Sequence, residues 1–272
     1  MLTKYKNILI LPGAIQFSLA GLIARFPISM YGLGSVLLVQ SRTGSYFKAG
    51  VISAAFAIAA AVGGPITSRF ADRLGQNRII PVQLSVHVSF LLVTIFLIVQ
   101  NFNFFLVLIT AIISGALVPT VGPYVRARWK KSVKNSQQQN TAFAMESVLD
   151  EIIFIFGPPL VTILCVAFYD ASGLLIAALL VTLGGIWLAS QKNTQPEIHK
   201  SHESRGKSAI LYPGVFSVFL VYILLGAVFG AAEVIAVAFS REKDSPELAG
   251  ALIAAWSIGS LVAGIAMGAM HF

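Results

Sequence analysis

Charge is what this sequence has least of. Asp, Glu, Lys and Arg make up 11% of its 272 residues, against roughly 25% in soluble domains, so water is not the chain's only solvent. A single cysteine, Cys165, excludes an intrachain disulfide, and its place in an apolar run marks it as core packing. His199 and His202 lie close together in a polar stretch without a Cys or a second His pair nearby. They read as solvated loop residues, so no metal and no cofactor is expected. No Ser/His/Asp set, no metal-binding His and Glu pair within one helix and no phosphate-cradling glycine loop occurs at useful spacing, which argues against an enzyme.

Apolar residues are abundant, at 57% of the chain. Runs long enough to cross about 30 Å of hydrocarbon fall at 11–40, 47–68, 79–99, 103–124, 142–168, 171–190, 209–239 and 248–270. They are continuous rather than alternating, which fits helices and not barrel strands. The expected fold is therefore an all-α polytopic membrane protein with eight spans in the lipid bilayer. Of the 19 Lys and Arg, 14 lie at the amino terminus (Lys4, Lys6), at 69–78, at 126–134 and at 192–207. This bias expects a multi-pass cell-membrane protein with both termini in the cytoplasm. It also accounts for the net charge of +8 without a nucleic-acid partner. Lys4 and Lys6 ahead of an apolar run resemble a signal peptide. Helical character running past Arg25 to Val39 argues for an uncleaved first span.

Shifted by 200 residues, the chain matches itself: Ala49, Gly50, Ala54, Ala55, Ile58, Val62 and Gly64 fall on identical residues from Ala249 to Gly264. A shift of 201 sets Pro12-Gly13 over Pro213-Gly214. Such a period expects two similar halves. Residues 1–190 would form a six-helix bundle. Residues 191–208, QKNTQPEIHKSHESRGKS, would form a cytoplasmic linker, and 209–272 the first hairpin of an incomplete second bundle.

A few polar residues interrupt the spans. Arg25 stands 19 residues after Lys6 and 17 before Arg42, near mid-membrane in an uninterrupted helix. A guanidinium there costs at least about 2.5 kcal/mol if unpaired, so it needs a carboxylate or a polar cavity. Glu146, Asp150 and Glu151 in the fifth span are the candidates. Glu146 and Asp150 share a helix face, while Asp150 and Glu151 point about 100° apart. Neighbouring carboxylates in low dielectric help one of them hold a proton, which suits proton binding; a static ion pair pinning spans one and five is the equal alternative. Glu233 in the seventh span is either a second proton or cation site or an acid near the outer surface beside Arg241. His87 reads as hydrogen-bonded packing more readily than as a proton carrier. Phe156-Gly157-Pro158-Pro159 expects a kink in the fifth span, because each proline lacks an N–H. Gly63-Gly64-Pro65 expects a bend and a close helix contact in the second.

The turn after the second span reads Ser68-Arg69-Phe70-Ala71-Asp72-Arg73-Leu74-Gly75-Gln76-Asn77-Arg78. Asp72 at a helix end suits acceptance of hydrogen bonds from free N–H groups of another helix start, and Gly75 suits a reversal with positive φ. The plainer reading is that Arg69, Arg73 and Arg78 hold the turn at lipid headgroups. With the span pattern, this segment resembles the signature loop of the major facilitator superfamily of secondary transporters. Asp72, Arg73, Gly75 and Arg78 match, and Ser68 replaces the usual Gly.

The resemblance implies a solute pathway between two six-helix bundles, with the cavity facing spans one, four and five. It implies that the loop latches the bundles together, its main partner being a late helix of the second bundle. Gly157-Pro158 resembles a shortened antiporter element. The arginine that the family often carries within the fourth span is missing among Thr110, Ser114 and Gly115, and Arg126 follows that span. Phe17, Phe26, Tyr31 and Trp129 are candidates for an apolar cavity lining. The first reading is a proton-coupled exporter of a small organic solute or drug, truncated after its eighth span and inactive alone. The second is a half-transporter module that needs self-association or a partner.

Overall fold

Hydrocarbon offers no water to backbone N–H and C=O groups, so each apolar run closes its hydrogen bonds within itself as a helix. A computed structural model describes residues 2–198 and 213–269. The regular elements are α1 (Leu2–Leu9), α2 (Ala14–Arg25), α3 (Ile28–Thr43), α4 (Tyr46–Leu74), α5 (Gln76–Val99), α6 (Phe104–Ala116), α7 (Val121–Ser132), α8 (Ser136–Ala167), α9 (Ser172–Ser190), α10 (Pro213–Glu242) and α11 (Leu248–Ala269). A 3-10 turn at Lys192–Thr194 follows α9. Among the described residues 7 segments are long and apolar enough to cross a membrane, and Leu248–Ala263 adds a shorter apolar stretch. The all-α polytopic class read from the apolar runs is the one found. His199, Lys200, His202, Arg205 and Lys207 lie outside the described residues.

Three boundaries differ from the sequence reading. The first span runs as one segment, Ala14–Thr43, but its hydrogen-bond ladder is interrupted between α2, which ends at Arg25, and α3, which starts at Ile28. Pro27 has no N–H to offer the preceding turn, and the ladder restarts where Met30 N donates to Pro27 O at 2.9 Å. The chain before Gly13, whose φ is +76°, forms the separate helix α1 carrying Lys4 and Lys6. The fourth span breaks after Ala116 around Pro119 and resumes as α7, so Arg126 and Arg128 stand on a helix rather than in a loop. By contrast, α4 runs through Pro65 and α8 through Pro158 and Pro159 as single helices.

Small residues set a close crossing between α4 and α6. A Cβ on Gly63 of α4 would meet the Ala116 carbonyl, and one on Gly115 of α6 would meet the Phe56 carbonyl; backbones approach this closely only without side chains. Two apolar clusters hold the bundle. One draws Leu33, Leu38, Val161 and Leu174 from α3, α8 and α9. The other draws Ile8, Phe17, Ile80, Val125 and Leu188 from α1, α2, α5, α7 and α9. The hairpin α10–α11 docks near its connecting turn. Gly250 lies against the backbone of Pro158 and Pro159, and Val234 faces Gly50. Farther from the turn, residues 223–231 of α10 are exposed. Ala49 and Ala249, equivalent in the internal match, both lie in the first turn of a helix and are fully buried.

Candidate functional site: a buried ionic cluster

Three helices each offer two polar residues on one face, and the six converge. Ser18 and Arg25 are two turns apart on α2, Arg126 and Trp129 one turn apart on α7, and Glu146 and Asp150 one turn apart on α8. Arg25 Nη2 donates to Glu146 Oε2. Its Nη1 donates to Asp150 Oδ1 at 2.9 Å and its Nε to the Gly21 carbonyl at 3.2 Å. Glu146 Oε1 accepts from Ser18 Oγ at 2.8 Å and from Trp129 Nε1 at 2.7 Å. Asp150 Oδ2 accepts from Arg126 Nη2 at 3.0 Å.

Two guanidinium groups thus face two carboxylates, and the charges balance. Burial separates the carboxylates. The Glu146 side chain is 0% exposed and that of Asp150 34%. Glu146 has donors on both oxygens inside protein, as an ion taken out of water requires. Asp150 sits at the rim between Arg25 and Arg126, partly exposed.

The structure therefore brings Arg25, Glu146 and Asp150 together and adds Ser18, Arg126 and Trp129. Glu151 is half-exposed and makes no hydrogen bond or ion pair among the described residues. Of the candidate aromatics, Phe17, Tyr31 and Trp129 are buried and Phe26 is half-buried, and Phe17 meets Trp129 edge-on at 4.7 Å. Gly157 lets α8 approach Ser29, whose hydroxyl donates to the Ile153 carbonyl at 3.0 Å. Beside it, Pro158 and Pro159 receive α11. The Glu233 carboxylate lies against Gly32 of α3 and forms no ion pair with Arg241. His87 is fully buried. It shares a hydrogen bond with the Tyr31 hydroxyl at 2.8 Å and another with the Ser114 carbonyl at 3.0 Å.

In the loop after α4, Gly75 adopts φ +93°, the left-handed side that glycine tolerates. Asp72, Arg73 and Arg78 are exposed and Asp72 makes no hydrogen bond among the described residues, while Ser68 Oγ shares one with Thr120 Oγ1 at 3.0 Å.

Arg128 counts in the sequence only as a topology charge, yet it is completely buried. No carboxylate pairs with it among the described residues. It donates to Gln76 Oε1 at 2.8 Å, to the Leu188 and Gln191 carbonyls at 2.9 Å each, and to Thr194 Oγ1 at 2.7 Å. The free carbonyls at the end of α9 carry the negative pole that a cation stabilises. A signal for this burial exists in the sequence: Val121, Tyr124, Val125, Arg128 and Trp129 are spaced as one helical face, and all are buried.

At the opposite end of the bundle, Arg42 Nη2 donates to Asp170 Oδ1 at 2.8 Å and Ser41 Oγ to Asp170 Oδ2 at 3.1 Å. Partial burial pushes the Asp170 carboxyl up, but the hydrogen bonds from Arg42 and Ser41, with the Arg42 charge, outweigh it and hold the group below its ordinary 3.8. Arg42 also lies over the Tyr169 ring at 5.3 Å.

The family model of the Major Facilitator Superfamily matches residues 17–271. No curated protein and no solved structure gives a match. The match takes in the spans, the loop after α4 and all six residues of the ionic cluster, and the chain belongs to the major facilitator superfamily of membrane transporters.

Proposed function

We propose that this transporter exports a small organic solute in exchange for protons, with Asp150 as the exchanging carboxylate and Glu146 as the fixed counter-ion of Arg25. The observation that carries the reading is the unequal burial of two carboxylates that share one arginine. Protonating Asp150 removes one negative charge from a balanced group of four. Arg126 then loses its partner and turns to solvent or to solute, while Arg25 stays held by Glu146. A proton and a solute competing for one rim carboxylate is the minimum requirement of exchange.

The test is a vesicle assay. In everted vesicles carrying the chain completed by a second six-helix bundle, with a dye-monitored proton gradient, ethidium or another organic cation from a panel of drugs is expected to discharge the gradient, whereas the 272-residue chain alone is expected not to. Asp150→Asn should abolish that response while leaving insertion intact. Discharge that persists in Asp150→Asn counts against the assignment.

A second reading is that α10 and α11 associate with a second copy or a partner to complete the pathway. Its support is the exposed apolar surface of the hairpin, where Phe229 and Trp256 stack at 5.2 Å. A specific dimer on cross-linking in native membranes favours this reading, and a monomer opposes it.

A further inference from the structure

A cavity of about 380 Å³ opens at the end of the bundle that carries the Arg42–Asp170 pair. By helix rise it lies roughly 25 Å along the first span from Arg25. Its walls include Leu37 and Ser41 of α3, Cys165 of α8, Asp170, and Arg241 and Asp244 at the turn between α10 and α11. The volume falls in the range that holds a small solute.

The charges around it do not pair off. Asp170 is taken by Arg42 and Ser41. The Arg241 side chain makes no hydrogen bond or ion pair among the described residues, and its Nε is sealed from solvent without an acceptor. A guanidinium N–H left in that condition costs about 1–3 kcal/mol, which an anionic group reaching it from the cavity would recover. Asp244 stands one helical turn further on, its N–H bonded to the Arg241 carbonyl at 3.0 Å, with φ +53°. Its carboxylate does not turn back to Arg241 and has no partner among the described residues. The cavity therefore presents one unmatched guanidinium and, three residues along the chain, one exposed carboxylate without a partner among the described residues.

We infer that this cavity binds a small zwitterion, its anionic group on Arg241 and its ammonium group toward Asp244. A free amino-acid-like solute and a phosphoethanolamine lipid headgroup both carry that pair of charges. The site is separate from the Arg25 cluster and does not depend on the export reading.

The test uses three probes of matched size on the purified full chain in detergent. β-Alanine carries both charges, propionate only the anion and propylamine only the cation. Calorimetric titration is expected to give β-alanine at least about tenfold tighter binding than either single-charge probe. Asp244→Asn should bring β-alanine down to the propionate level, and Arg241→Gln should remove binding of both. Arg241→Lys, which keeps the charge, serves if the glutamine variant does not fold, and should bind β-alanine less tightly than wild type. Native mass spectrometry identifies the source: phosphatidylethanolamine retained by the wild type and lost in Asp244→Asn assigns the site to the headgroup, with β-alanine binding only after delipidation. Propionate binding as tightly as β-alanine, an unchanged Asp244→Asn, or neither β-alanine nor retained phosphatidylethanolamine would overturn the proposal.

Discussion

Trp129 donates its indole N–H to Glu146 Oε1 at 2.7 Å while its ring meets Phe17 edge-on, so one side chain both satisfies a buried anion and fills the space between α2 and α7. Trp129→Phe keeps most of the ring and deletes the donor. A hydrogen bond to a buried charge contributes about 1.5–3 kcal/mol, and that loss is expected in chemical unfolding in detergent. Trp129→Ala should lose more, by the cavity it leaves. A phenylalanine variant as stable as wild type would remove the tryptophan from the cluster.

Glu146→Leu leaves Arg25 with Asp150 as its sole carboxylate, and a buried charge stripped of its main partner costs about 3–5 kcal/mol. Arg25→Leu with Glu146→Leu leaves Arg126 and Asp150 paired and the charge balanced. The double variant should therefore be more stable than the sum of the single losses by at least about 1.5 kcal/mol. Additive losses in a double-mutant cycle would show that the two residues do not interact.

Asp170 is held below its ordinary carboxylate range, so its pairing with Arg42 stabilises the fold at every pH above about 4 and is lost as pH falls through the lower folded value. Asp170→Asn should accordingly lower the melting temperature at pH 7, with the gap to wild type closing as pH drops below about 4. A gap that stays constant down to about pH 2.5 is the contrary result.

Gly115→Val places side-chain atoms where the Phe56 carbonyl lies. Forcing α4 and α6 apart should cost about 1–3 kcal/mol or more, seen as a lower melting temperature and poorer membrane yield. A Cβ on Gly226 would meet nothing within 4 Å, and Gly226→Ala should be neutral or stabilising by up to about 1 kcal/mol. Equal effects at the two sites would contradict the close crossing.

Arg128→Gln removes donors from two carbonyls at the end of α9 and from Thr194. Loss of several charge-assisted bonds should cost about 3 kcal/mol and free the chain around Lys192. Trypsin should then cut after Lys192 at least about tenfold faster than in wild type. An unchanged cleavage rate would mean that Arg128 does not anchor this segment.

The parts of the site legible in the sequence are those whose isolation would be most costly. A cation inside an apolar run demands an acid, and Glu146 and Asp150, four apart, are the acids on one face. Glu151 falls out because the helix turns it away. Ser18, Arg126 and Trp129 are harder to read, since their roles depend on which faces of α2 and α7 meet α8, and a single chain does not encode that crossing locally. Arg128 escapes notice because a basic residue beyond an apolar run ordinarily marks membrane topology; only the helical spacing of its neighbours signals burial. The breaks at Pro27 and Pro119 are visible as residues, but long apolar runs hide them.

The interruption at Phe26–Pro27 thins the hydrogen-bond ladder in the middle of the first span, between Arg25 and Arg42, while Phe26 and Pro27 keep right-handed helical torsions. A rigid rod would carry any displacement at one end straight to its far end. A span short of ladder bonds at its middle bends there first, so the bond from Arg25 to the rim carboxylate and the clasp at Asp170 need not move together.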